Sequence, residues 1–116
     1  MEKVTAKSYS LRTNNGSWLG QVVLTSDGMF SAVTDYGNMS FAWRAYGEKD
    51  FRQFIIGLNV SYFGGKMYQG MAYMINGKKY QQACELFAEK ILPSLQEVLK
   101  KEIEQENNGG FGAGVA

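Results

Sequence analysis

Three observations in this 116-residue sequence predict an α+β fold, a four-stranded antiparallel meander followed by three helices packed on one face (ββββααα). Residues 7–45 alternate with a period of two. Asn14-Asn15-Gly16, Ser26-Asp27-Gly28 and Tyr36-Gly37-Asn38 interrupt that alternation with residues that tolerate the positive φ angles of tight reversals. From Asp50 onward the apolar period lengthens to that of a helix.

The strands are expected at 7–13, 18–25, 29–35 and 39–45, and their short connections make them antiparallel neighbours. In the fourth, Met39, Phe41 and Trp43 share one face while Ser40, Ala42 and Arg44 share the other. Phe30 and Ala32, Trp18, Val22 and Leu24, and Tyr9 and Leu11 extend the buried face across the sheet. A slip of one residue would exchange that face for the other, and Val23 and Val33 make the second face partly apolar.

Asp50 suits the N-cap of a first helix, with Phe51, Phe54, Ile55 and Leu58 on one stripe. Asn59 restarts the chain into a second helix carrying Val60, Phe63, Met67, Met71 and Met74, which Gly77 ends. Gly64, Gly65 and Gly70 weaken it by about 1 kcal/mol each relative to Ala unless close packing compensates. The third helix covers 78–105 with a stripe of Tyr80, Cys84, Phe87, Ile91, Leu95, Val98 and Ile103, and Pro93 bends or restarts it. Residues 1–106 thus read as a single domain and 107–116, with four glycines, as a flexible tail.

Composition narrows the function. The chain has 12 basic and 11 acidic residues and no basic run longer than Lys78-Lys79 or Lys100-Lys101, so a duplex-DNA footprint is not expected. No histidine is present, which removes Ser-His-Asp and Cys-His catalysis and the commonest zinc ligands. Cys84, on an apolar helix stripe, reads as a small core residue and has no partner for a disulfide. The start Met1-Glu2-Lys3 lacks a signal-peptide pattern and no apolar run approaches the ~20 residues of a membrane span, so a cytoplasmic location is expected.

Sequence neighbours that could carry chemistry mostly have plainer explanations. Glu48, Asp50 and Asp35 could in principle ligate a hard cation, but capping accounts for Asp50 and no calcium-loop spacing is present. Gly64-Gly65-Lys66 resembles the end of a phosphate loop, yet Met67 stands where Ser or Thr should hold magnesium. No cofactor and no enzymatic role are therefore expected. Arg12, Arg44, Arg52 and Lys66, interleaved with Trp18, Tyr36, Tyr46, Tyr62 and Tyr68, have the composition of interface hot spots. Among these, Arg12, Tyr36, Arg44, Tyr46 and Arg52 are the candidate partner-binding residues.

Trp18-Leu19-Gly20-Gln21, Asp35-Tyr36-Gly37-Asn38, Phe41-Ala42-Trp43, Asp50-Phe51-Arg52 and Tyr62-Phe63-Gly64-Gly65-Lys66 together resemble small accessory proteins of bacteriophages and prophages, over about residues 8–103. The resemblance implies a setting, the bacterial host, and action by binding rather than catalysis. On that basis the expected partner is a host protein, for instance a component of a CRISPR or other antiviral defence complex. It would be met by the sheet face away from the helices, with Arg44 and Tyr46 at its edge. The alternative is a module for single-stranded nucleic acid or a nucleotide signal, using the same arginines and aromatics. The Met67, Met71 and Met74 stripe leaves self-association open beside a core role.

Overall fold

Alternating apolar residues and three tight turns produce a single four-stranded antiparallel sheet of order β1-β2-β3-β4: β1 (Ala6–Arg12), β2 (Trp18–Thr25), β3 (Met29–Thr34) and β4 (Gly37–Ala42). Three helices follow, α1 (Phe51–Ile56), α2 (Val60–Met71) and α3 (Lys78–Val115). The computed structural model describes residues 3–71 and 77–115, with side chains for 3–70 and 77–108. Met74 and the side chain of Met71 therefore lie outside the described residues. The α+β architecture and the strand-then-helix order match the sequence expectation.

The sheet boundaries depart from it at one hairpin. The β3–β4 reversal is centred on Asp35-Tyr36, and β4 begins at Gly37, two residues earlier than its alternation suggests. Thr34 fixes this: its hydroxyl accepts from the Tyr36 N–H at 3.0 Å and donates to the Gly37 carbonyl at 2.7 Å. Gly37 supplies the positive φ of +125° that brings the chain back into register opposite Thr34. At the other end Met29 pairs with Ala42, so the ladder finishes there, and Trp43 turns to donate its N–H to the Gly28 carbonyl.

The second departure is a β-bulge. Leu11 pairs with Gly20 but Arg12 pairs with Trp18, so Leu19 is an extra residue in β2. Its insertion reverses the facing of the strand's first residue. Leu19 is buried and Trp18 is 41% exposed, contrary to the expectation that Trp18 belongs to the core. The rest of the face holds: Tyr9, Leu11, Val22, Leu24, Phe30, Ala32, Met39 and Trp43 are buried, and Phe41 is partly so.

The helices cover this face only. Asp50 caps α1 by accepting from the Arg52 N–H at 2.9 Å, and Asn59 accepts from the Tyr62 N–H at 2.7 Å to start α2. α2 lies against β4 and α3, while α3 also reaches α1 and β1. Phe30, Phe63 and Phe87, from β3, α2 and α3, meet edge-on and stacked with centroids 5.1–6.3 Å apart and form the centre of the core. Along α3 the buried stripe includes Cys84, Phe87, Ile91 and Leu95 as expected, but it continues through Leu92 and Leu99, while Val98 is partly buried. α3 is continuous through Pro93 and runs on to Val115, beyond the end expected at 105. Among the described residues no helix is long and apolar enough to cross a membrane.

Candidate functional site

The register separates the five candidate binding residues into two groups. Arg12 and Tyr36 lie at the end of the sheet where Leu11 faces Gly20 and Thr34 faces Gly37. Arg44, Tyr46 and Arg52 follow β4 or pack beyond it, near the opposite end, where Ala6 faces Thr25 and Met29 faces Ala42. At about 3.3 Å per residue the two groups are on the order of 20 Å apart. Asp35 is likewise at the far end from Asp50, so the two do not share a cation site.

Each side chain has a local setting. Arg12 donates to the Gly16 carbonyl at 3.2 Å across its own hairpin and is exposed, as is Arg44. Tyr36 is half-buried in the β3–β4 turn. The Tyr46 hydroxyl donates to the Ser26 carbonyl at 3.1 Å, and its ring packs on Phe51 and Phe54 at 5.0 and 5.8 Å.

Arg52 is the centre of the densest polar cluster. Asp50, two residues before it, brackets Nε at 3.0 and 3.1 Å and Nη2 at 2.6 Å. From α3, Glu102 accepts from Nη1 at 2.5 Å, and Glu106 receives Nη1 and Nη2 at 2.8 and 2.9 Å. All three nitrogens of the guanidinium are therefore engaged by three carboxylates. Lys7 on β1 adds a bond to Glu106 at 3.2 Å, and the Tyr9 hydroxyl donates to Glu102 at 2.8 Å. Three elements meet here: β1, α1 with its cap, and α3.

The electrostatics follow from these contacts. Hydrogen bonding from Arg52, more than its charge alone, holds the Asp50 carboxyl below the usual range, and Arg52 and Lys7 together hold Glu106 at about 2. Burial, then the Glu102 contact, raises the Tyr9 phenol, which stays protonated. Beside the cluster lies a cavity of about 220 Å³ lined by Thr5, Lys7, Thr25, Ser26, Tyr46 and Lys49, with Asp50 and Arg52 at its wall. It is the point at which Tyr46 and Arg52 come together.

Other sequence signals are absorbed by packing. Cys84 is fully buried, and its thiol is pushed up by that burial. Gly64-Gly65-Lys66 lies inside α2, where the Lys66 ammonium sits over the Phe41 and Tyr62 rings at 5.6 and 5.4 Å. Gly64 lets α2 approach α3, since a Cβ there would stand 3.3 Å from that of Ala88. Among the described residues no three His, Cys, Asp or Glu side chains are arranged to hold a metal ion.

Lys7, Tyr9, Glu102 and Glu106 were not legible as members of this cluster. The available signal was spacing: Leu95, Leu99, Glu102 and Glu106 recur at four, three and four residues, so the acidic pair extends the buried stripe of α3 beyond the core.

The sheet face opposite the helices is built from small and uncharged residues. Rows Ser8–Val23–Ser31–Ser40 and Ser10–Gln21–Val33–Asn38 cross all four strands. Trp18, Met29 and Val33 are its exposed large apolar side chains, and Arg12 is its one cation among the described residues.

No curated protein and no solved structure matches the chain. A family model described as a phage family matches residues 1–85, which span the whole sheet, α1, α2 and the first two turns of α3, and stop short of Glu102 and Glu106. With most of its length accounted for by that match, the chain belongs to this phage family.

Proposed function

We propose that this phage protein is a non-catalytic accessory protein that binds a host protein and inhibits it, the target being a component of a CRISPR or other antiviral defence complex. The observation that supports the reading is the uncovered sheet face. It carries Trp18, Met29 and Val33 on a floor of serines, with a single arginine at one end. Such a face suits a protein surface better than a phosphate backbone, which is held by several cations.

Magnitude extends the contact. Four strands about 4.8 Å apart and about seven residues long present on the order of 400 Å², half of the roughly 800 Å² per partner in a stable complex. The partner therefore reaches over the hairpin tip at Arg12 or the flank at Arg44 as well.

The test is functional. Expression of the chain in a host with an active defence system should restore plating of a sensitive phage, and the doubly substituted W18D/V33D protein should fail to do so while remaining folded. Affinity purification should return the same host protein with wild type and not with the variant, before and after nuclease treatment. Protection by both proteins alike, or a partner released by nuclease, would overturn the reading.

A further inference from the structure

The geometry points to a carboxylate-binding socket formed by Arg52 and Lys7, which Glu106 of the same chain occupies and which an acidic segment of a partner protein can take over. This does not depend on which face meets the host protein in the reading above.

The socket has the form of a built site. Glu106 Oε2 and Oε1 lie 2.8 and 2.9 Å from Nη1 and Nη2 of Arg52, two parallel bonds in the fork-on-fork arrangement by which arginine selects a planar carboxylate. Lys7 Nζ supplies a third contact at 3.2 Å. Arg52 itself is only 14% exposed and is held on its other edges by Asp50 and Glu102. The guanidinium of the socket is thus fixed before any ligand arrives.

The occupant, by contrast, is peripheral. Leu99 is the last fully buried side chain described on α3, and Glu106 lies two turns further on, with 47% of its side chain exposed. Residues 104–108 are all exposed, so little packing holds this turn besides the carboxylate itself. Moving it away uncovers two cations without opening the core.

Charge selects the ligand. Without Glu106, Arg52 and Lys7 are balanced by Asp50 and Glu102, and Lys49 lining the adjoining cavity leaves one positive charge to meet one negative group. A phosphate dianion would bring a second charge against the two remaining carboxylates, whereas an Asp or Glu side chain reproduces the charge and shape of Glu106. The adjoining cavity, with Lys49 and the hydroxyls of Thr5, Thr25, Ser26 and Tyr46, offers room and polar partners for the peptide around that side chain.

A fluorescein-labelled hexaglutamate peptide, blocked at both ends, tests this by anisotropy at low salt. In the wild type the peptide competes with a carboxylate held in place by its own helix and binds weakly. Both E106A and E106Q should bind it about tenfold more tightly or better, and adding K7A should remove the gain. A hexaglutamine peptide should bind none of the three. E106Q keeps the shape of the side chain, so its thermal melt separates loss of fold from loss of competition. Equal affinity of wild type and both single variants would overturn the proposal, as would tighter binding of an oligonucleotide than of hexaglutamate to E106Q.

Discussion

The side-chain amide of Gln96 on α3 closes the C-terminal end of α1, its Nε2 lying 3.0 Å from the carbonyl oxygen of Ile55. The same nitrogen is 3.1 Å from the Ile56 carbonyl and 2.8 Å from that of Leu58. A six-residue helix cannot satisfy all its last carbonyls from within, and here one amide from another helix reaches two of them and the Leu58 carbonyl just beyond. Q96A should lower stability by about 1–2 kcal/mol, because the Ile56 and Leu58 carbonyls lose the amide donor while that of Ile55 keeps the Leu58 N–H. Q96E should be worse at neutral pH, because it directs a carboxylate at carbonyl oxygens. Urea denaturation of the three proteins at pH 7 gives the order; Q96E as stable as the wild type would contradict it.

The Arg52 cluster makes stability fall at both ends of the pH scale. Asp50 and Glu106 are depressed in the folded protein, so their contribution is complete above the unfolded values and is lost as protons return. For Glu106 that window runs from its ordinary 4.5 down to about 2. Tyr9 has the opposite sign: raised above 10.0, it stabilises below that value and loses its contribution as pH climbs beyond it. Urea midpoints should be flat from about pH 5 to 8. R52Q should flatten the acid limb, and Y9F, which keeps the ring, should make the alkaline one shallower, the remainder belonging to Cys84 and Tyr80, whose acidic groups burial also raises.

Strand order and helix order were legible because each rests on local signals: a period of two, a turn residue, a cap. Asp50 and Asn59 act at the helix starts where their side chains predict. What escaped depends on partners far along the chain. Arg52 has the composition of an interface residue, and only the return of α3, 50 and 54 residues later, turns its guanidinium inward onto Glu102 and Glu106. Trp18 alternates correctly with Val22 and Leu24, yet one inserted residue reverses its facing, and the insertion shows only in the pairing with β1. Leu92 and Leu99 fall outside the stripe expected on α3 because α1, α2 and β1 together bury a wider face than a single row of apolar residues suggests.

Two glycines should respond to alanine in opposite directions. Gly28 has φ +96°, and a Cβ there would lie 2.1 Å from the Trp43 carbonyl oxygen, so G28A combines backbone strain with a clash against main chain. A loss of roughly 2–4 kcal/mol is expected. Gly65 lies on the exposed side of α2, where an added methyl would meet nothing within 4 Å, so G65A should gain up to about 1 kcal/mol from helix propensity. Paired denaturation curves decide both, and a destabilising G65A would show that the glycine serves a contact rather than the helix.

The bulge at Leu19 makes the sharpest demand on neighbouring positions. Leu19 is 7% exposed on the helix side, and Trp18, the adjacent residue, is 41% exposed. L19A should therefore cost about 2–3 kcal/mol through lost burial and a residual cavity, while W18A should cost less than about 1 kcal/mol despite removing a far larger side chain. Simple alternation from Val22 and Leu24 demands the reverse ranking. The second readout is binding: W18A should weaken capture of the host protein, whereas L19A at a temperature where it is folded should not. Greater instability of W18A would place its ring in the core and remove the largest apolar group from the uncovered sheet face.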